Sequence, residues 1–519
     1  MLNKVLAKAL SSLKKIQDKE GNVFKSDRLD TKSITVLREN NYLFPIVKGW
    51  YCIQNPSTGS GDTTIWYINA WSFFSKYLSD RFGKNGYCLN PHDSLMLHTE
   101  KNSIPKQLTL IIKNGASSSK TKLPNNMSLF SYEDRDNFPK NLDKRRGVNI
   151  FTIEDVLCKS DNKSFISNPL EMEIALKSIR DVSSIINSLV SLKRMDTSAA
   201  RLSGAYAHLG REDDAKNIRQ IYSSLTGVKI TPFNPFDLRK PIFGNIQLAK
   251  SPYASRVEAL WQKYSARIKE SSYKLEPKNI NIKTLLSELE DKYTQDAYHS
   301  LSIEGYKVTT KLIEKIKNGN WNPAQNEEDK QTRDALAAKG YFEAFEELKS
   351  TVLECLQSNE KIEKNISRLQ SKLYQKLFLP SVQANILSPG NLIGYRDSAI
   401  YLRGSQHVPP PKEAVLDSME KYFEVLEKEE DILSKVILGH FIFGFIHPYA
   451  DGNGRVSRFI MNSILVSYGQ PWIIIKKDER TRYMRALEQA SNHDDILPFM
   501  ELIVEKIGRA EERLRGSLT

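Results

Sequence analysis

The sequence predicts a mainly α-helical protein. Its helical C-terminal half is interrupted by a short β-hairpin and preceded by a small helix-and-hairpin module and a mixed α/β middle region. Three observations carry this expectation. From about residue 250 apolar residues recur at three- and four-residue steps, as in "IKTLLSELEDKYTQDAYHS", "DALAAKGYFEAFEELKSTVLECL" and "ISRLQSKLYQKLFL". Upstream, β-like runs such as "TTIWYINAW" and "LTLIIKNG" are mixed with helical stretches. A chain of 519 residues is too long for one hydrophobic core, so two to four domains are expected.

The first element is an amphipathic helix in "MLNKVLAKALSSLKKIQDKE", where Leu2, Val5, Leu6, Leu10, Leu13 and Ile16 keep helical spacing. This stretch has neither an uninterrupted apolar core nor a small-residue cleavage site, so it is not read as a secretory signal. A turn at Gly21, the segment "KSDRL" and a helix in "DTKSITVLRENN", N-capped by Asp30 or Thr31, follow. "YLFPIVKGWYCIQ" then reads as two β-rich runs around a Lys48-Gly49 turn. Three helices and a hairpin over residues 1–58 resemble a winged helix-turn-helix, similar to the N-terminal domain of AbiEi-type antitoxin regulators. The resemblance implies duplex DNA as a partner, with "TKSITVLREN" in the major groove and Lys48 near phosphate. Docking of another protein is the alternative use of such a module.

Residues 59–235 form the middle region. "SSSKTKLPNN" (Ser117 to Asn126) reads as a loop, and "AARLSGAYAHLGRED" resembles the closing helix pair of AbiEi-type proteins. "TPFNPFDLRKP" marks a boundary. Residues 236–364 read as a helical linker, and residues 365–507 as the last domain. Within that domain "NLIGYRDSAIYLRGSQHVPPP" alternates around Ile400 and Leu402 before three prolines, the pattern of a short hairpin that joins no larger sheet.

Charge and cysteine content narrow the class. A net charge of +13 suits an acidic partner such as nucleic acid or nucleotide phosphate, or else a lysine-rich solvated surface. The four cysteines (Cys52, Cys88, Cys158, Cys355) have no paired or metal-binding spacing and read as thiols of a reducing compartment, the cytoplasm. No apolar run reaches the roughly 18 residues of a membrane span, so no membrane partner is expected.

The most informative stretch is "HPYADGNGRVSR", His447 to Arg458. An apolar helix, "EEDILSKVILGHFIFGF", ends at His447-Pro448, and "GRVSRFIMNSILVSYG" begins the next. Between them Gly452 and Gly454 let backbone N–H groups converge on an anion at a helix N-terminus. Arg455 and Arg458, three apart, can each bind phosphate oxygens, and Asp451 is a hard oxygen ligand for Mg²⁺ bridging phosphates. His447, with an ordinary pKa of about 6.5, can take a proton from a hydroxyl. Such parts can move a phosphorus-containing group from a nucleotide to an alcohol. His440, one heptad earlier on an apolar face, reads as a core histidine.

The stretch is similar to the Fic-domain signature HPFx(D/E)GNGRxxR, met throughout except for Tyr449 in place of phenylalanine. The resemblance extends over about Asn365 to Ile507. It implies His447 as catalytic base, nucleotide binding by Gly452, Asn453, Gly454, Arg455 and Arg458, a metal at Asp451, and ATP with Mg²⁺. It also implies a target-holding flap at Leu402, Arg403 and Gly404, and nucleotide-side places for Asn462 and Tyr483. Gly454 stands where family members that transfer a γ-phosphate carry lysine, which favours transfer of the nucleotide. "SLSIEG", Ser300 to Gly305, resembles the family's inhibitory pattern, in which Glu304 would pair with Arg458.

The expected function is therefore a self-inhibited bacterial protein adenylyltransferase. It would move AMP from ATP to a Ser, Thr or Tyr hydroxyl of a target protein, or of itself. The alternatives are another nucleotide donor, removal of AMP, or a nucleotide-sensing transcription regulator. The target and the oligomeric state, homo-oligomer included, stay open.

Overall fold

The apolar stripe of the first twenty residues folds as α1 (Leu2–Glu20), whose Ala9 and Leu13 are buried. Asp30 starts α2 (Thr31–Glu39) by accepting the Ser33 backbone N–H at 2.8 Å. Strands β1 (Val23–Lys25), β2 (Leu43–Val47) and β3 (Trp50–Ile53) form an antiparallel sheet in the order β1-β3-β2. The expected third helix is one 3₁₀ turn, Ser26–Arg28. Period-two alternation divides the sheet: Phe24 and Leu43 pack on Leu13 and Leu37, whereas Val23, Trp50 and Cys52 pack on Trp66 and Phe73 of the following helix.

The structure is a computed structural model that describes residues 2–54, 56, 64–101, 104–115, 118–237, 241–242, 251–319, 333–398, 400–402 and 405–517. The chain divides into two compact units, Met1–Pro252 with Tyr401–Val408, and Tyr253–Ile400 with Pro409–Thr519.

In the first unit, α3 (Thr64–Phe82) replaces the β-like run expected at "TTIWYINAW". Its aromatic and β-branched residues favour strands locally. However, Trp66, Ala70, Phe73, Phe74 and Leu78 fall on one helical face and are all buried, and tertiary packing decides. β4 (Tyr87–Leu89), α4 (Pro91–His98), β5 (Gln107–Ile112), β6 (Ser118–Lys122) and β7 (Ser128–Glu133) follow. The sheet runs β4-β5-β7-β6 with β5 and β7 parallel. The expected loop at 117–126 is therefore in part strand β6, an edge strand whose alternating exposed residues carry little apolar signal. β8 (Leu142–Arg145) pairs with β9 (Val148–Phe151). Helices α5 (Ile153–Lys159), α6 (Asn162–Ser167), α7 (Pro169–Ser178), α8 (Ser183–Leu192), α9 (Asp196–His208) and α10 (Glu212–Thr226) close the unit. The last two are the expected helix pair.

The second unit is helical: α11 (Pro252–Lys269), α12 (Ile282–Ile303), α13 (Thr310–Lys317), α14 (Arg333–Ser358), α15 (Ile366–Gln383), α16 (Lys412–Lys428), α17 (Ile432–Ile446), α18 (Asn453–Ser467), α19 (Arg480–Asn492) and α20 (Leu497–Ser517). Helix α17 is buried on every side, Gly444 apart, which makes it the central helix of the unit. A buried cluster ties it to its neighbours: Lys435 pairs with Glu363, and the Tyr468 hydroxyl lies 2.7 Å from Lys435 Nζ and 2.5 Å from Glu363 Oε1. The expected flap hairpin is not formed among the described residues, where 395–410 is irregular apart from a single bridge at His407. Pro409, Pro410 and Pro411 supply no ladder donors there. No helix among the described residues is long and apolar enough to cross a membrane.

Candidate active site

The site forms where α17 ends. Pro448 cannot continue a helix, and His447 takes the left-handed conformation (φ 53°) as the C-cap. That conformation is unfavourable for a residue with a Cβ and persists only where the surroundings hold it. They do so here: the His447 N–H bonds to the Phe443 carbonyl at 3.0 Å, and the His447 carbonyl accepts from Arg396 Nε at 2.8 Å. Arg396 also donates to the Ser398 and Pro410 carbonyls, and its backbone N–H bonds to the Pro448 carbonyl. Buried Arg396 thus fixes the chain on the C-terminal side of the histidine, through its guanidinium at the His447 carbonyl and its backbone N–H at the Pro448 carbonyl.

His447 Nδ1 lies 3.3 Å from the Gly444 carbonyl, a partner that favours the proton on Nδ1 and leaves Nε2 as the basic nitrogen. Burial pulls the pKa down to about 4, and the Arg396 charge adds to this. The Gly444 hydrogen bond and the Glu304 and Asp451 carboxylates act in the opposite sense. The imidazole is therefore neutral at physiological pH, with its lone pair available.

The turn after Pro448 is locked from within. Asn453 Oδ1 accepts the Tyr449 N–H at 2.9 Å, and Asn453 Nδ2 donates to the Tyr449 carbonyl at 2.8 Å. The Asn453 amide therefore closes the loop, and only its backbone N–H, at the start of α18, is left for an anion. The Tyr449 ring stacks on Tyr374 at 3.8 Å between centroids, and its hydroxyl donates to Gln370 Oε1. Gly452 has φ 81°, and a Cβ there would lie 2.8 Å from the Phe378 ring, so both conformation and space require glycine.

Glu304, the C-cap of α12, reaches this helix start. Arg458 Nη2 donates to Glu304 Oε1 at 2.8 Å, Arg458 Nε to Ser300 Oγ at 2.9 Å, and Nη2 also to the Ser300 carbonyl at 3.2 Å. Burial works against the Arg458 charge, but the Glu304 carboxylate together with Tyr483 and Tyr341 outweighs it, and the pKa is raised. A Cβ built on Gly454 would meet Glu304 Oε1 at 2.4 Å. The carboxylate thus lies directly over the N-terminal turn of α18, in the place the helix dipole offers to an anion.

Arg455 is fully buried, and its Nε and Nη1 have no protein partner. Its guanidinium lies over the Tyr306 and Phe378 rings, 5.1 and 5.0 Å from their centroids. A cavity of about 280 Å³ opens beside it, lined by Asp451, Tyr306, Arg333, Tyr374, Phe378 and Asn391 among others. Asp451 is half-exposed, with Oδ1 taken by the Gly452 N–H at 2.6 Å and Oδ2 3.5 Å from the Tyr306 hydroxyl. Among the described residues no three His, Cys, Asp or Glu side chains converge as a metal cage.

Asn462 and Tyr483, expected on the nucleotide side, are both bonded within the protein. Asn462 Oδ1 accepts the Ile473 N–H and its Nδ2 donates to the Ile473 carbonyl, so the amide fastens the chain after α18 and presents no polar group to the cradle. Tyr483 is buried, with its hydroxyl 2.8 Å from His440 Nε2. His440 is a core histidine, its pKa drawn to about 3 by burial and by Arg458. Leu402 is half-buried and in no strand, while Arg403 and Gly404 lie outside the described residues. The spacing within the motif does not point to Arg396, Tyr306 or Arg333. Of these, Tyr306 carries a signal of position, two residues beyond Glu304.

A sequence model of the Fic/DOC family matches residues 362–465. The chain is similar to proteins named protein adenylyltransferase Fic: 28% identical over 244 residues to that of Nematostella vectensis, covering 44% of this chain and 51% of the relative. It is 30% identical over 217 residues to that of Drosophila virilis, covering 41% of each. The chain spans about half the length of these curated relatives. Among solved structures, Fic-1 (residues 134–508) of C. elegans aligns with a TM-score of 0.37 at 17% identity, covering 70% of this chain and 91% of that one. A Fic domain containing signaling protein of Bacteroides thetaiotaomicron aligns with a TM-score of 0.35 at 18% identity, covering 50% and 93%.

Proposed function

We propose that the second unit is a protein adenylyltransferase held inactive by Glu304. The observation that carries this reading is the placement of a neutral imidazole, His447, and an occupied anion cradle, Gly454 under Glu304, on one short loop. The Fic/DOC family match over residues 362–465 and the names of the relatives agree with it.

In the reaction, His447 Nε2 takes the proton of a Ser, Thr or Tyr hydroxyl on a target protein. That oxygen forms a bond to the α-phosphorus of ATP as the bond from the α-phosphorus to the bridging oxygen breaks. AMP stays on the hydroxyl and pyrophosphate leaves. The backbone N–H groups at the start of α18 and the unpartnered Nε and Nη1 of Arg455 hold the phosphate charge. Arg458 joins them once Glu304 lets go. Asp451 is a lone, accessible carboxylate, which fits a divalent ion shared with the nucleotide's own phosphates. Bound Mg²⁺ would neutralise charge on those phosphates.

The first unit is read as a DNA-binding regulator. In support, α2 turns Thr31, Lys32, Thr35 and Arg38 outward, and Lys48 is exposed at the β2–β3 turn. These side chains suit phosphate and base-edge contacts.

The test of the catalytic reading uses the full chain with Glu304→Gly and each labelled nucleotide in turn. Label from α-labelled ATP, lost in the added variant His447→Ala, supports adenylyl transfer. Label from another nucleotide alone, or label that persists without His447, rules it out.

A further inference from the structure

Helix α12 works on two faces. Asp296 and Ser300, four residues apart, turn towards the core, where Ser300 holds Arg458 and Asp296 accepts from the Tyr341 hydroxyl at 2.6 Å. Lys292, Gln295 and His299, at steps of three and four, form a second stripe on the same helix. That stripe is one wall of a groove of about 320 Å³. The other walls are the 472–476 segment, with Trp472 and Lys476, and one face of α20, with Lys506 and Arg509.

Four cations and no carboxylate line this groove. Lys292 Nζ donates to the Trp472 carbonyl at 3.1 Å, and His299 Nδ1 accepts the Lys477 N–H at 3.2 Å. Lys506 is paired with Glu479, and Arg509 with Glu505 at 2.7 Å, both carboxylates lying outside the lining. Trp472 and Ile473 give the groove an apolar floor. Converging like charges over a low-dielectric floor repel one another and concentrate an oppositely charged ligand. The volume falls at the lower end of small-molecule sites, about 300–1,000 Å³. One phosphate can engage neighbouring cations on a single wall. Bridging from Lys292 on α12 to Arg509 on α20 takes a ligand with charge at both ends.

We infer that this groove is a second ligand site, for a small polyanion with at least two linked phosphates, and that its ligand ties α12, and with it Glu304, to α20. The shared chemistry has two sources, an inorganic polyphosphate or the phosphate tail of a nucleotide. The inference does not depend on which reaction the His447 site performs.

Titration calorimetry on the full-length protein, with inorganic tripolyphosphate in one arm and ATP in the other, tests it. Both Lys476 and Arg509 are exposed, so Lys476→Gln/Arg509→Gln keeps the fold, checked by an unchanged melting temperature. We expect this variant to bind tripolyphosphate about 10- to 100-fold more weakly than the parent, about tenfold for each charge-assisted contact removed. Hydrogen exchange on the parent should show residues 288–299 protected by the ligand. An ATP affinity that falls in the same variant identifies the nucleotide tail as the source, and one that does not identifies inorganic polyphosphate. Tripolyphosphate affinity unchanged by the double substitution overturns the inference. So does protection confined to residues 447–458, since the anion would then occupy only the His447 cradle.

Discussion

Glu304 Oε1 and Arg458 Nη2 stand 2.8 Å apart across 154 residues of sequence, and the same carboxylate oxygen covers Gly454. One side chain thereby denies both a guanidinium and a helix N-terminus to phosphate. A hydrogen bond between charged groups contributes about 1.5–3 kcal/mol, so releasing it should raise the competent fraction roughly 10- to 150-fold. We expect self-labelling from α-labelled ATP to rise by that factor in Glu304→Gly and to fall back when Arg458→Ala is added. Equal labelling of parent and Glu304→Gly would show that the contact does not restrain the enzyme.

The second prediction concerns pH. The free imidazole titrates near 6.5, whereas burial holds His447 near 4, below its unfolded value. The neutral base is thus fully present above about pH 5 and is lost only as pH falls through 4. Glu304 raises this pKa, so Glu304→Gly lowers it further. The kcat/KM of Glu304→Gly should therefore be flat from pH 5.5 to 8 as far as His447 is concerned. A tenfold loss between pH 7 and 5.5 would mean that His447 titrates as an exposed histidine.

How much of this was legible in the sequence depended on whether the signal was local. His447 to Arg458 lie on one loop and one helix turn, so residue type and spacing carried the site directly. Glu304 was legible because its short motif names a distant partner. Arg396 was not, because a lone arginine in an irregular segment gives no hint that it braces the His447 carbonyl. Nor could spacing reveal that Asn462 is consumed by the Ile473 backbone. At α3, local β propensity and helical burial pointed in opposite directions, and packing of Trp66 and Phe73 won.

Lys435 and Glu363 give a stability prediction. Both side chains are almost fully buried, and the Tyr468 hydroxyl bonds to each. Lys435→Met leaves a carboxylate uncompensated in the core, which costs about 3–5 kcal/mol. Adding Glu363→Leu removes the stranded charge and should restore most of that loss. Denaturant midpoints of the two variants measure this. A single variant as stable as the parent would show that water reaches the pair.

For the N-terminal module, the full chain should bind duplex DNA with an affinity that falls as salt rises. If Lys32 and Arg38 contact phosphate, changing each to Gln should reduce the slope of log K against log salt by about one. Fluorescence anisotropy across a salt series reads this. Binding that ignores both substitutions would point away from α2 as the contacting helix.

Gly454→Ala isolates the contact at the helix start. Position 454 lies in the first turn of α18 and has no positive φ, so alanine fits the backbone, and in a free helix it is favoured over glycine by up to about 1 kcal/mol. With Glu304 present the new methyl would sit 2.4 Å from Oε1 and 3.2 Å from Arg458 Nη1, distances that force the carboxylate away. The predicted sign therefore depends on residue 304. In the parent, Gly454→Ala should lower stability by about 1–3 kcal/mol, since it breaks a charged hydrogen bond and leaves buried Arg458 with only its Ser300 contacts. In Glu304→Gly the same substitution meets no carboxylate and should be neutral or slightly stabilising. Melting temperatures and denaturant midpoints of the four proteins complete a double-mutant cycle, and the coupling should reach at least about 1 kcal/mol. A coupling near zero would mean that Glu304 does not rest over Gly454 in solution, and the self-inhibited resting state would have to be abandoned with it.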